Sequence, residues 1–188
     1  MNAGIEGGMA RRICFFVARY SRSGVPLAQI RLAKAFRREG HHVDIVFGYV
    51  PDGLVLPAVD GISITNLGLS RTYKLLMPII DYVRKVKPDV VFSAEDHLNA
   101  VVTLALLLAG SKAKLSVSSR VTPFDTYSNQ LFSKRWFLKK ISVPLRNRAD
   151  ALVCVSKDMV LQYQSIFGPS KYQCIYNVIC DAEMQGKM

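Results

Sequence analysis

Acidic residues are in short supply in this chain: 14 Asp and Glu stand against 25 Lys and Arg, giving a formal net charge of +11. That imbalance favours a polyanionic partner, whether nucleic acid, an anionic membrane surface or a phosphorylated substrate. Nucleic acid is the least favoured, because no recognition-helix, RNP-like or finger motif accompanies the charge. Cysteine is also scarce. Cys14, Cys154, Cys174 and Cys180 form no CxxC pair, and three of them fall within strand-like runs. Buried reduced thiols are therefore expected, and no metal site. Long apolar runs are missing: the longest, Ala100–Gly110 (AVVTLALLLAG), is too short to span a bilayer and fits a buried helix. No early segment has the basic, apolar and cleavage-site order of a secretory signal, and the glycine-rich MNAGIEGGMA reads as a flexible lead-in. Internal repeats and low-complexity linkers are absent too.

What is present is a chain of 188 residues, half of them apolar, which suits one ordinary domain with a real core and argues against disorder. Short β-branched runs alternate with longer helical patterns. Strands are expected at Ile13–Ala18, His42–Phe47, Ile62–Asn66, Asp89–Ser93, Lys114–Ser119, Ala151–Val155 and Tyr172–Tyr176. Most are almost continuously apolar, as strands covered on both faces should be. Helices are expected at Pro26–Glu39 with a stop at Gly40, at Ser70–Lys87 with a kink at Pro78, at Asp96–Ala109 ending on Gly110, and at Lys157–Phe167 after Ser156 as N-cap. This alternation implies an α/β fold with a doubly wound, mostly parallel sheet of about seven strands and helices on both faces.

In such a sheet ligands bind beyond the carboxyl ends of the strands. The loops to read are thus Arg19–Gly24, Ala94–Asn99, Arg120–Asn129, Ser156–Lys157 and Asn177–Asp181. Gly24 opens a helix, so backbone N–H groups could approach an anion there; equally, it could only make a tight turn. The loop is neither GxGxxG nor a P-loop, since no GK[ST] follows. In Glu95-Asp96-His97 a carboxylate could orient His97 as a base or hydroxyl ligand, or Asp96 could cap a helix beside an exposed histidine. Arg120, at a strand end, suits a phosphate or carboxylate, with a surface pairing to Asp125 as the plainer reading. It leads into a polar stretch, Val121–Asn129, that reads as a loop. In Gln130–Arg148, Arg135, Lys139 and Arg146 share a helical face, Lys140 adds charge, and Phe137, Ile141 and Leu145 form an apolar stripe with Trp136 beside the basic residues. That is the pattern of an interfacial membrane helix, and also of a solvated helix whose stripe joins the core.

Taken in order, several segments carry a resemblance: RRICFFVA with its glycine loop, LAKAFRREGHHVDIVF, KPDVVFS, the arginine closing LSVSSR, ADALVCVSKDM and IYNVICD. The chain resembles the N-terminal domain of GT-B glycosyltransferases of family 4, over roughly Arg11 to Asp181. The resemblance implies a Rossmann-like acceptor-binding domain at residues 11–181 behind a flexible segment at 1–10. Residues 182–188 would begin an interdomain linker, and the donor-binding C-terminal domain would be missing. It further implies sugar transfer from a nucleotide-sugar co-substrate with retained configuration, no tightly bound cofactor and no essential metal. This fragment would be inactive alone. Gly24, Ser23 and Ser156 would lie near the donor phosphates. His97 and Arg120 would face the acceptor, a glycan or lipid-linked molecule. Arg135, Trp136, Lys139, Lys140 and Arg146 would meet an anionic membrane, placing the protein in the cytoplasm, peripheral to the inner face of the cytoplasmic membrane. Two positions depart from the family pattern. The usual Gly-Gly of the first loop is Ser23-Gly24, and Val178 stands for the proline of a YNPxD-like stretch. The rival expectation is a non-enzymatic basic α/β module, naturally truncated, that binds anionic lipid or a phosphorylated ligand.

Overall fold

A computed structural model describes residues 9–22, 24–126, 140, 144–145, 147–168 and 172–176. Among these, seven strands form one parallel sheet: β1 (Arg12–Arg19), β2 (His42–Tyr49), β3 (Ile62–Asn66), β4 (Val90–Ala94), β5 (Lys114–Ser119), β6 (Ala151–Cys154) and β7 (Tyr172–Cys174). Their spatial order is β3-β2-β1-β4-β5-β6-β7, with every neighbouring pair parallel. All seven expected strands are found, as a doubly wound sheet. The helices are α1 (Val25–Arg38), α2 (Leu76–Val86), α3 (Asp96–Ala109), the single turn α4 (Pro123–Thr126) and α5 (Lys157–Phe167).

The inner strand β1 shows why the apolar runs are continuous rather than alternating. Ile13, Phe15 and Val17 point to one face, where they meet Val43, Ile45 and Phe47 of β2 and Ile30 and Ala33 of α1. Cys14 and Phe16 point to the other, against Ile79, Ile80 and Val83 of α2 and Leu98 and Val102 of α3. A strand covered on both faces must be apolar at every position. Aromatic contacts reinforce both layers: Phe15 stacks on Phe92 at 4.8 Å and Phe16 meets Tyr82 edge-on at 5.8 Å. Cys14 and Cys154 are buried free thiols, and Cys174 is a half-buried one. Burial, with a push from Asp44, drives the Cys14 thiol far above its ordinary pKa. Cys180 lies outside the described residues.

Two aspartates quoted for the resemblance are sheet clamps. Asp89 accepts the Arg12 N–H at 2.7 Å, and its own N–H bonds to the Arg12 carbonyl at 2.9 Å, which ties the amino ends of β4 and β1. Asp150 accepts the Leu115 N–H and the Lys114 ammonium, each at 2.9 Å, tying β6 to β5. Both lie at the edge opposite the ligand-side loops.

Pro78 does not kink a long helix. A 3₁₀ turn, Thr72–Leu75, precedes α2, and Pro78 is the third residue of α2. In the first turn a missing N–H breaks no intrahelical bond, so the proline is accommodated where it is cheap. Part of the expected loop after Arg120 is helical, at Pro123–Thr126. The expected caps are present: Gly110 closes α3 at φ 64°, and Ser156 Oγ accepts the Met159 N–H at 3.2 Å at the start of α5.

Gly48 reports on the packing of β2 against β1. A Cβ there would lie 2.6 Å from the Ala18 carbonyl oxygen and 2.7 Å from Leu75 Cδ1. The carbonyl belongs to β1, paired on both sides, and cannot yield. Gly48→Ala is expected to cost about 1–3 kcal/mol in urea denaturation, the range for overpacking; an unchanged midpoint would contradict this packing.

Candidate functional site

Strand order reverses where β1 neighbours β4, so the chain leaves these two adjacent strands toward opposite sides of the sheet. The loops beyond their carboxyl ends leave a crevice, the usual ligand position in such a sheet. Arg19–Arg22 and Gly24 lie on one side and Glu95–His97 on the other, with Arg120 following the next strand.

Gly24 precedes α1 with φ 66° and ψ −132°, a conformation that essentially only glycine adopts. A Cβ would meet nothing within 4 Å, so backbone shape and not crowding demands glycine. No side chain caps α1, and Pro26 removes one of its first-turn donors. The helix start therefore presents fewer N–H groups than a phosphate-binding loop would. Ser23 lies outside the described residues.

Glu95 links β4 to α3 with φ 83° and ψ 125°, although it carries a side chain. Such a conformation costs about 1–3 kcal/mol and persists only where its surroundings enforce it. They do so here. The Glu95 N–H bonds to the Ser118 carbonyl at 3.2 Å, and the Asn99 N–H bonds to the Glu95 carbonyl at 2.9 Å. The buried Asn99 side chain donates to the same Ser118 carbonyl at 3.0 Å. Asp96 is the first residue of α3 and Glu95 its cap position, so Asp96 does not act as the cap. His97 is exposed in the first turn of the helix.

Arg120 is half-buried, unlike an ordinary surface arginine, and its Nε donates to Ser118 Oγ at 3.1 Å. Its side chain lines a small cleft of about 90 Å³ with Gln29 and Leu32 of α1, Phe92, Ser116 and Val153. Gln29 is 2% exposed, and its Oε1 has no hydrogen-bond partner among the described residues. Burial raises the Glu95 pKa, against the opposing pull of His97 and Arg120. Burial likewise lowers that of Arg120, with Glu95 pulling the other way. Each charge of the pair is thus held at a desolvation cost its partner does not fully offset. That is a state suited to a ligand which adds further hydrogen bonds.

The structure therefore brings Glu95, His97 and Arg120 to one strand edge, with Gly24 across the neighbouring strand. Ser156 follows β6, two strands from β4, and its oxygen caps α5. Of the basic segment, only Lys140 among the five named residues is described, and it is exposed; Arg135, Trp136, Lys139 and Arg146 lie outside the described residues. The sequence gives no role to Gln29, which stands outside the strand-end loops, or to Asn99, which closes the Ala94–Asn99 stretch but belongs to no motif there.

A raised carboxyl pKa means that the folded chain binds the Glu95 proton more tightly than the unfolded chain does. Ionisation therefore lowers stability, and the loss develops as pH rises from the ordinary Glu range through the raised value. Relative to wild type, Glu95→Gln is predicted to gain stability as pH climbs from about 4 to about 7, since the amide does not titrate. Urea midpoints across that range check it, and a flat difference would contradict the buried carboxyl.

The family described as Glycosyltransferase Family 4 matches residues 22–183. No curated protein matches the chain significantly in sequence. Among solved structures, Anabaena Alr3699/HepE in complex with UDP and glucose is similar at TM-score 0.59 and 17% identity, over 89% of this chain and 44% of that one. The lipopolysaccharide outer core galactosyltransferase WaaB, in its apo form, is similar at TM-score 0.64 and 12% identity, over 88% and 45%. MurG from Acinetobacter baumannii follows at TM-score 0.56 and 12% identity, over 92% and 46%. These likenesses establish the shared fold, and the chain spans less than half the length of each of the three neighbours. With the family match covering most of its length, the chain belongs to glycosyltransferase family 4.

Proposed function

We propose that this chain is the acceptor-binding half of a retaining, nucleotide-sugar-dependent glycosyltransferase, with its reaction site at the β1–β4 crevice. The observation that carries the reading is the half-buried Glu95–Arg120 pair at that crevice, in a family 4 domain. A sugar acceptor offers hydroxyl groups that donate to a carboxylate and accept from a guanidinium. Arg120 and His97 contact the acceptor in this account. The acceptor oxygen bonds to the anomeric carbon as that carbon parts from the diphosphate oxygen, and the hydroxyl proton passes to a base, His97 or Glu95 in this account. The domain's main contribution is to hold the hydroxyl close and oriented. A second domain grips the nucleotide-sugar donor, with Gly24, Ser23 and Ser156 bordering the cleft on this side, and no cofactor stays bound between turnovers. This chain alone does not turn over.

The acceptor is a glycan or lipid-linked molecule. In this account a lipid-linked acceptor is met peripherally, at the inner face of the cytoplasmic membrane; no helix among the described residues is long and apolar enough to cross a membrane. The net charge of +11 and the basic segment around the exposed Lys140 support docking on anionic lipid.

In the full-length protein, Arg120→Ala is expected to lower kcat/KM for sugar transfer by about 10²-fold, the scale of losing one positioned donor. Undiminished transfer would remove Arg120 from the site. Vesicles containing phosphatidylserine are expected to co-sediment the full-length protein, and Lys139→Glu with Lys140→Glu to weaken that by about thirtyfold or more, on the scale of 1 kcal/mol per basic residue. Equal binding to neutral vesicles would reject the membrane contact.

A further inference from the structure

The site side chains alternate along the chain with residues that converge on one buried phenol. Asp96 stands between Glu95 and His97; Ser119 and Val121 stand on either side of Arg120. Ser119 Oγ donates to Asp96 Oδ1 at 2.7 Å. The Tyr163 hydroxyl lies 2.7 Å from Asp96 Oδ2 and 3.0 Å from the Val121 carbonyl oxygen, so its proton is shared between two acceptors. Tyr163 sits on α5 at 0% exposure, stacked on Phe167 at 5.8 Å and tilted against Tyr172 at the same distance. One phenol, 67 residues downstream of Asp96, thereby ties together the start of α3, the end of β5 and the loop after it.

Core packing alone would be served as well by phenylalanine. The hydroxyl adds a bond to the side chain of Asp96, between Glu95 and His97, and one to the backbone of Val121, next to Arg120. Its acceptor Asp96 directly follows Glu95, whose left-handed backbone needs its surroundings to enforce it. We propose that Tyr163, acting through Asp96, is a positioning residue: it fixes the two loops that carry Glu95, His97 and Arg120 in the geometry that sugar transfer requires. This inference rests on the proposed transferase reading.

Tyr163→Phe in the full-length protein keeps the ring and removes only the hydroxyl; Ser119→Ala removes the second donor to Asp96. Hydrogen–deuterium exchange followed by mass spectrometry reads the loops without any need for turnover. Peptides covering Ala94–Leu98 and Ser118–Thr122 are expected to exchange about tenfold faster in both variants, while Ile13–Ala18 and Val43–Phe47 keep their wild-type rates, because a local opening leaves the core protected. For Tyr163→Phe, kcat is expected to fall about tenfold or more with KM for the nucleotide sugar nearly unchanged, as for a transition-state geometry that has loosened. Exchange that quickens equally everywhere, or nowhere, overturns the positioning role, as does an unchanged kcat beside loosened loops. If the wild-type protein transfers no sugar from any donor, the transferase reading falls, and the exchange pattern alone decides whether Tyr163 holds the loops.

Discussion

The parallel pairing of β1 with β4 at the point of reversed strand order is the constraint on which this molecule turns. Because the chain departs these neighbours in opposite directions, their carboxyl ends cannot be covered by one connection. Their amino ends are held tight by Asp89, which bonds across to Arg12. The sheet is thus closed at one edge and open at the other. At the open edge, two positive-φ residues, Gly24 at φ 66° and Glu95 at φ 83°, sit at the two adjacent strand ends.

An open edge lined by low-dielectric walls changes what charged side chains do there. Glu95 and Arg120 attract one another, yet burial shifts both toward their neutral forms. A pair meant only for stability would be a poor use of two desolvated charges. Strain at Glu95 and desolvation of the pair are both local costs. The stability that sustains them comes from the two-sided core around Phe15, Phe16, Ile45 and Val91, away from the loops. A rigid scaffold beneath costly loops is the arrangement expected of a site that must hold its shape when a ligand arrives.

Much of the fold was legible in the residues because parallel strands covered on both faces leave an unambiguous trace: seven short apolar runs, each found within two residues at either end. Helix stops at Gly40 and Gly110 and the Ser156 cap were legible for equally local reasons. Pro78 was misplaced because its effect depends on where a helix begins, and the 3₁₀ turn at Thr72–Leu75 gives no strong local signal. His97 and Arg120 could be picked out by lying just beyond strand ends. Asp96's partner could not, since Tyr163 reads as one more apolar residue of an amphipathic helix. Nor could the strained backbone of Glu95, which follows from the Ser118 carbonyl on a neighbouring strand. The aspartates of KPDVVFS and ADALVC, which help carry the resemblance, proved to be amino-edge clamps remote from the site.

The central claim is that the β1–β4 crevice receives the acceptor through Glu95 and Arg120. A crystal structure of the full-length protein with a non-transferable nucleotide sugar and a sugar acceptor tests it most directly. The account predicts acceptor hydroxyls within hydrogen-bond reach of Glu95 and Arg120, about 2.6–3.2 Å, with the donor nucleotide on the facing domain. An acceptor seated elsewhere, with none of its hydroxyls within that reach of Glu95 or Arg120, would contradict it.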